Sequence, residues 1–379
     1  MAWLEDYVEY SKNNEAPEHF HWWAGLGILG ASLRRNVVFS RGRFKIFPNP
    51  WLLVVAPSGT KKTTAWDLGY NILSKLDHVK ILSERITPEA IVKCLGKPEE
   101  NGEVESQAVI YAPEFGTFLD KRHFNEGLVP LLLRLADCPD SWAAETATGG
   151  KIQLRNVAVT LLGAMADDLF KEAIPSQALK TGFLARMLVI TGKDEGKCEP
   201  FPWTDDNAEA EILSSLYELS LLRGDMVFTS KSQDWYIAWY MKHKANLRNM
   251  ADHRLRAYYE RKPVHLLRIG MLTSIAKHKR LEYMIDGLEE ASKVLEQLEK
   301  GLLDLSEAID ATPLGKTQMR ILDHIKKAKK VRHTELAKKN ANLMSDPLLF
   351  KKIMSHLLET KHIKAYKVKS DIIYEIREE

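Results

Sequence analysis

A short loop near residue 60 contains the residue types that bind a phosphate chain. Residues 56–63 read Ala-Pro-Ser-Gly-Thr-Lys-Lys-Thr, close to the template of glycine, four residues, glycine, lysine and then serine or threonine. In such loops the backbone N–H groups surround phosphate oxygens, the lysine reaches the terminal phosphates and the hydroxyl binds Mg²⁺. Lys62 and Thr63 occupy those last two positions. The residues expected to contact ATP are Pro57, Ser58, Gly59, Thr60, Lys61, Lys62, Thr63 and Thr64.

The loop departs from the template at both glycines. Ala56 replaces the first, and Lys61 replaces the second, where a residue without a side chain is favoured. A polar strand-to-helix turn capped by Thr63 therefore stays open as the alternative. A second Gly-Lys-Thr triplet, at 315–317, follows no apolar strand and is interpreted as a linker.

A carboxylate is needed near the loop to orient the attacking water or Mg²⁺. The apolar run 109–112 is followed by Pro113 and Glu114, and we expect Glu114 to serve both the metal and the water. The alternative is a surface glutamate after a strand. The apolar run 157–164 should lie beside the phosphate strand, but no polar residue follows until Asp167, so the position of a polar sensor stays unassigned.

Arg186 lies in the segment that leads into the last apolar run of this region. An arginine at this place can reach a γ-phosphate across a subunit interface and stabilise the charge that develops in phosphoryl transfer. The alternative is a salt-bridged surface arginine. The catalytic residues expected from the sequence are Glu114, Arg186 and Lys62, with Thr63 and Glu114 as the metal ligands.

Apolar runs that alternate with helical patterns must position these residues. Strands are predicted at 51–55, 108–112, 157–163 and 187–191, with helices at 63–76, 88–95 and 129–136, an order that predicts a parallel sheet covered on both faces. The three glycines 25, 27 and 30 suggest a closely packed helix. The predicted divisions are an N-terminal helical segment (1–35), an α/β core (36–195), a helical domain (205–311) and a C-terminal domain (315–379).

The composition excludes several classes of protein. The 379 residues are 45% hydrophobic and 28% charged, which is typical of a folded chain. No apolar run reaches the roughly 18 residues of a membrane span, and the acidic N-terminus is unlike a signal peptide. Three scattered cysteines argue against a disulfide scaffold. These features favour a cytoplasmic protein without a membrane partner.

The C-terminal segment is much more basic than the rest. Residues 315–379 contain 16 Lys or Arg and 8 Asp or Glu, whereas the other residues are slightly acidic. Three helical patterns and two short strands predict a winged helix, whose third helix can enter the DNA major groove. A winged helix that contacts only proteins is the alternative. The lysines expected to contact DNA phosphates are Lys351, Lys352, Lys364, Lys367 and Lys369.

Together these motifs resemble the C-terminal ATPase family of primase–helicases found in phages, plasmids and prophage regions. The resemblance covers roughly residues 15–300, and family members commonly have a basic residue before the loop lysine, as Lys61 is here. It is carried by APSGTKKTTA (56–65), APEFGTFL (112–119), NEGLVPLLLRLADCPDSWAAET (125–146), NVAVTLLGAMADDLF (156–170), TGFLARMLVI (181–190) and KPVHLLRIGML (262–272).

The resemblance implies a P-loop NTPase core of the AAA+/RecA type with a helical lid region, hydrolysis of ATP with Mg²⁺, and a place in DNA replication. It implies a motor, a replicative helicase or helicase loader, that binds single-stranded or forked DNA and forms a ring, expected to be hexameric. Asp137 and Asp140 lie in a stretch typical of the family but receive no role. The alternatives are a non-hydrolysing DNA-binding replication adaptor and a nucleotide-sensing DNA-binding regulator.

Overall fold

The chain divides into two compact units, residues 1–306 and 307–379. The computed structural model describes residues 2–99, 102–118, 127–146, 150–173, 182–192, 196–203, 205–250, 255–310, 313–339, 347–360, 362–368 and 371–376. The first unit takes in the predicted segment 1–35, the predicted core and nearly all of the predicted helical domain. Across the part of the chain described, every helix is too short or too polar to cross a lipid bilayer.

Helices and short strands alternate through the first unit. Its helices are α1 (Trp3–Ser11), α2 (Glu18–Leu33), α3 (Lys62–Leu73), α4 (Pro88–Leu95), α5 (Phe115–Phe118), α6 (Leu128–Ala136), α7 (Asp167–Ala173), α8 (Asp206–Ser220), α9 (Ser230–Arg248), α10 (Arg256–His278) and α11 (Ile285–Asp310). Its strands are β1 (Val37–Arg41), β2 (Phe44–Ile46), β3 (Trp51–Ala56), β4 (Ile81–Ser83), β5 (Gln107–Ala112), β6 (Ser141–Thr146), β7 (Gly150–Arg155), β8 (Ala158–Ala166), β9 (Leu188–Thr191), β10 (Gly224–Asp225), β11 (Val227–Phe228) and β12 (Glu282–Tyr283). Helix α11 continues past the boundary between the units.

Five strands form an all-parallel sheet in the order β4-β5-β8-β3-β9, which confirms the α/β class predicted from the sequence. Every residue of β3 is buried. Because successive side chains of a strand point to opposite faces, this burial means that both faces of the sheet are covered. Strand β8 lies beside β3, as predicted, and runs to Ala166, three residues beyond the expected end.

Glycines let α2 lie unusually close to the sheet. A Cβ added at Gly27 would lie 2.6 Å from Cδ2 of Leu162 on β8, and one at Gly30 would collide with the carbonyl oxygen of Pro48. Larger residues at these positions would push the helix outward. The close packing expected from the glycine spacing is therefore present, and nearly all of α2 is buried.

Two hairpins flank the central sheet. Strands β1 and β2 form the first, joined by a turn at residues 42–43, and β1 also pairs in parallel with β10. The predicted helical domain thus contributes a strand to the predicted core. The second hairpin, β6 and β7, was not predicted, because its strands lack the continuous apolar run that marks the central strands.

The second unit has its own core. Its helices are α12 (Pro313–Ala328), α13 (His333–Lys339) and α14 (Pro347–Glu359), and its strands are β13 (Lys330–Arg332), β14 (Ile363–Val368) and β15 (Asp371–Ile376). The three strands form an antiparallel sheet in the order β13-β15-β14. The predicted three helices and two strands are present, and β13 is additional. The interpretation of the Gly-Lys-Thr triplet 315–317 as a linker is wrong, because proline fits the first turn of a helix and α12 begins at Pro313.

Candidate functional site

The candidate phosphate loop lies at the carboxyl edge of the parallel sheet. Residues 57–61 leave the end of β3 and enter α3. All five strands end at this same edge, which is where open parallel sheets bind ligands. Two hydrogen bonds hold α3 and its neighbours: Trp66 Nε1 donates to the Gly163 carbonyl at 2.7 Å, and Tyr111 Oη donates to Asp67 at 2.5 Å.

Lys61 adopts the backbone conformation that the missing glycine would take. Its φ and ψ are 57° and 27°, in the left-handed region that glycine enters without steric cost. The Lys61 ammonium forms an ion pair with Glu15 at 2.5 Å, and that contact lowers the pKa of the Glu15 carboxyl. Glu15 lies in the turn between α1 and α2. The Lys61 side chain is therefore held against that neighbouring segment, outside the loop.

Lys62 folds across the loop. Its Nζ donates to the carbonyl oxygens of Ala56 at 3.0 Å and Pro57 at 2.9 Å. Partial burial lowers the pKa of the Lys62 ammonium, while the charges of Asp167 and Glu114 oppose that change. The Lys62 ammonium therefore lies against the loop at the start of α3, within electrostatic range of two carboxylates.

The remaining loop residues differ in exposure. Thr60 is buried and its Oγ1 donates to the Pro57 carbonyl at 2.8 Å. Thr63 is half-buried in the first turn of α3. The loop residues that face solvent are Pro57, Ser58, Gly59 and Thr64. A Cβ at Gly59, whose φ is +88°, would touch nothing within 4 Å, so there is open space in front of the loop.

Carboxylates follow three adjacent strands at this edge. Glu84 comes after β4, Glu114 after β5 and Asp167 directly after β8. Glu114 is exposed, and its backbone N–H donates to Glu84 Oε2 at 3.1 Å. Glu84 was not predicted, because a three-residue strand gives almost no pattern. Asp167 was left without a role because the predicted strand ended three residues before the end of β8.

Arg186 lies at the opposite end of the strands, where they begin. It precedes β9, whose Leu188 is in register with Leu52 at the start of β3. At about 3.3 Å per residue, the length of β3 separates this end from the loop by roughly 17 Å. The structure therefore does not bring Arg186 together with Lys62 and Glu114 within one chain.

Asp137, which received no role from the sequence, binds two arginines. The Arg186 guanidinium donates to both of its carboxylate oxygens, at 3.1 and 2.9 Å, and Arg261 on α10 lies 3.4 Å away. Asp140 pairs with Arg35 and, at 3.1 Å, with Lys45. These two carboxylates therefore join α6 and the chain after it to α10, to the end of α2 and to β2.

The lysines expected to contact DNA lie in the second unit. Lys351 and Lys352 are exposed on α14, whose buried face includes Ile353 and Leu357. Lys364 and Lys367 are exposed on β14, and their odd spacing places them on opposite faces of the strand. Lys364 also lies 3.6 Å from Glu375 on β15. Lys369 is outside the described residues.

Thr63 and Glu114, the metal ligands expected from the sequence, both carry oxygen atoms, which are the ligands that magnesium prefers. The described residues contain no group of three or more His, Cys, Asp or Glu side chains arranged around one point. Magnesium at phosphate-transfer sites is commonly held by one or two protein oxygens, with substrate phosphates and water completing its shell. The hydroxyl of Thr63 and the exposed carboxylate of Glu114 are oxygen ligands of this kind.

Sequence comparison adds no relative from which a function can be transferred. No model of a known protein family matches this chain, and no curated protein sequence matches it.

Proposed function

We propose that this protein is an ATP-hydrolysing DNA motor of replication, a helicase or helicase loader, with a P-loop core of the AAA+/RecA type. The observation that best supports this proposal is the geometry of the loop at 57–61. It keeps a left-handed residue at position 61 and directs Lys62 across its centre, beside carboxylates at the carboxyl edge of a parallel sheet. The five-stranded parallel sheet is compatible with such a core.

In the proposed reaction, water attacks the γ-phosphorus and ADP leaves. Backbone N–H groups of residues 58–63 bind the phosphate oxygens, and Lys62 exchanges its two loop carbonyls for β- and γ-phosphate oxygens. Thr63 and Glu114 would hold Mg²⁺, which would supply positive charge against the phosphates. Glu114 orients the water, and its backbone is held by Glu84. Asp167, at the end of the adjacent strand, lies near Lys62 and aligns it.

Arg186 fits this scheme only as a residue that acts on a neighbouring subunit. It lies at the far edge of its own sheet, so a phosphate must come from another copy of the chain. Asp137 holds the guanidinium in a two-oxygen ion pair, which keeps the arginine ordered until a phosphate competes for it. In this scheme copies of the chain form a ring, and we propose a hexamer.

The second unit supplies a DNA contact in this proposal. Its order of helices and strands, α12-β13-α13-α14-β14-β15, fits a winged helix with α14 as the groove-binding helix. The exposed cations of α14 and β14 would contact phosphates without reading sequence. The predicted helical domain (205–311) would form the lid, other replication proteins would be partners, and the compartment would be the cytoplasm.

Phosphate release by the whole chain tests the proposal. We expect Mg²⁺-dependent hydrolysis of ATP that single-stranded DNA stimulates, and a loss of at least a hundredfold in Lys62→Ala, because the terminal phosphates lose their cation. Lys316→Ala is the matched control, since it alters the second Gly-Lys-Thr triplet and should leave the rate unchanged. Absence of turnover under every condition would instead indicate the DNA-binding adaptor.

A further inference from the structure

The β1–β2 hairpin presents an aromatic ring to solvent on a fixed support. At its base, Phe39 packs edge-on against Phe228 and Tyr283, with ring centroids 5.3 and 5.1 Å apart. At its end, next to the turn, Phe44 is 76% exposed. One ring of the hairpin is therefore anchored in the unit, while the other is held away from it.

The strand register places a cation beside that exposed ring. Arg41 and Phe44 are directly opposite each other across the hairpin, and such pairs share one face. The Arg41 guanidinium also lies over the ring of Tyr240 on α9, 5.0 Å from its centroid, and Lys244 lies 5.9 Å from the same centroid. Ring and cation thus alternate in the order Phe44, Arg41, Tyr240, Lys244, which we call the aromatic–cation strip.

The charge around the strip is positive. Arg43 is exposed in the hairpin turn, and among the described residues no carboxylate forms an ion pair with Arg41 or Arg43. Lys244 is paired with Glu260 at 2.7 Å, so it contributes little net charge. Lys45 belongs to the other face of the hairpin, where it pairs with Asp140.

We propose that the aromatic–cation strip binds single-stranded DNA. An unpaired base stacks on Phe44, and the flanking phosphates bind Arg41 and Arg43. A duplex hides the faces of its bases, so the exposed ring favours single strands. The inference rests on the proposed function for the choice of DNA as the polymer. It adds a contact on the first unit that is separate from the lysines of the second.

Fluorescence anisotropy of the whole chain with a labelled 20-nucleotide oligothymidine, without ATP, tests the strip. We expect Phe44→Ala to weaken binding by about tenfold, in the range found for the loss of one base–aromatic stack, and Phe44→Trp to retain it. Arg43→Gln should lower the slope of log affinity against log salt by about 0.7, the value for one phosphate contact on a single strand. Phe201→Ala is the matched control, because Phe201 is 82% exposed and lies elsewhere.

Three results would overturn the inference. They are failure of the wild-type chain to bind the oligonucleotide, unchanged affinity in Phe44→Ala, and an equal loss for a 20-base-pair duplex. A change in the sedimentation of the DNA-free protein in Phe44→Ala, with unchanged DNA affinity, would indicate a protein interface instead. Since no measurement here uses ATP, a chain that binds through Phe44 but never hydrolyses would keep this inference and lose the proposed motor.

Discussion

At the scale of single residues, the two adjacent lysines of the loop have different roles, one in its backbone conformation and one in its charge. Lys61 supplies a backbone conformation, and its charge is held outside the loop by Glu15. Lys62 supplies the ammonium that lies across the loop carbonyls. The missing glycine therefore places a conformational cost on Lys61 and leaves the Lys62 ammonium across the loop carbonyls.

This division predicts how position 61 affects stability. Alanine and glycine both remove the ion pair with Glu15, but only glycine relieves the left-handed backbone, a conformation that costs other residues about 1–2 kcal/mol. We expect Lys61→Gly to exceed Lys61→Ala by about 1 kcal/mol in free energy of unfolding, measured in urea. Equal stabilities of the two variants would show that the backbone at 61 is not left-handed in solution.

At the scale of elements, Asp137 joins three segments that are distant in the sequence. It ends α6 and pairs with Arg186, before β9, and with Arg261 on α10. Arg268, almost two turns of α10 beyond Arg261, is buried and donates to the Phe47 carbonyl. The negative charge of Asp137 thus lies in a region that contains the positive charges of three arginines.

Removing the Asp137 carboxylate should lower the free energy of unfolding more than removing the Asp140 carboxylate. Asp137→Asn leaves two arginines without their anion. In Asp140→Asn, Arg35 still donates to the carbonyls of Cys138, Pro139 and Val157 at 2.9–3.2 Å. Because Asp137 is 42% exposed, solvent screening limits its loss to about 1–2 kcal/mol.

Chemical denaturation of the two variants checks this order. The difference should shrink at 1 M salt, where surface charges are screened. A larger loss in Asp140→Asn would contradict the assignment of Asp137 as the joining residue.

At the scale of the whole molecule, two buried histidines couple folding to pH. Burial lowers the pKa of His265 to about 3 and that of His21 to about 4. His265 donates from Nε2 to the Ala185 carbonyl at 2.8 Å, which joins α10 to the chain before β9. Between pH 4 and 6.5 the unfolded chain binds more protons than the folded one, so the free energy of unfolding rises with pH in this window.

Lowering the pH from 7 to 5 should therefore destabilise the first unit. At pH 5 each histidine should lower the free energy of unfolding by roughly 2 kcal/mol, at about 1.4 kcal/mol for each pH unit below 6.5. His265→Gln, which keeps an N–H donor but does not titrate, should flatten the dependence of the melting temperature on pH. An unchanged slope in this variant would show that His265 is protonated in the folded state or exposed.

The sequence by itself determined the elements whose signal is local. Buried parallel strands are continuous apolar runs, so β3, β5 and β9 were placed to within a residue or two, and the amphipathic helices of the second unit were found for the same reason. The positions of Lys62 and Thr63 after β3, and of Glu114 after β5, followed from those runs. Neither the ATPase activity nor the DNA contacts are decided by this agreement.

Only the tertiary structure decided which of these residues meet. Glu15 and Lys61 are 46 positions apart in the sequence, and no local pattern joins them. The parallel pairing of β9 with β3 put Arg186 at the end of the strands away from the loop, and the register of one hairpin put Arg41 beside Phe44. Such pairings arise from long-range packing, where many contacts are satisfied together, and that information is absent from any single stretch of sequence.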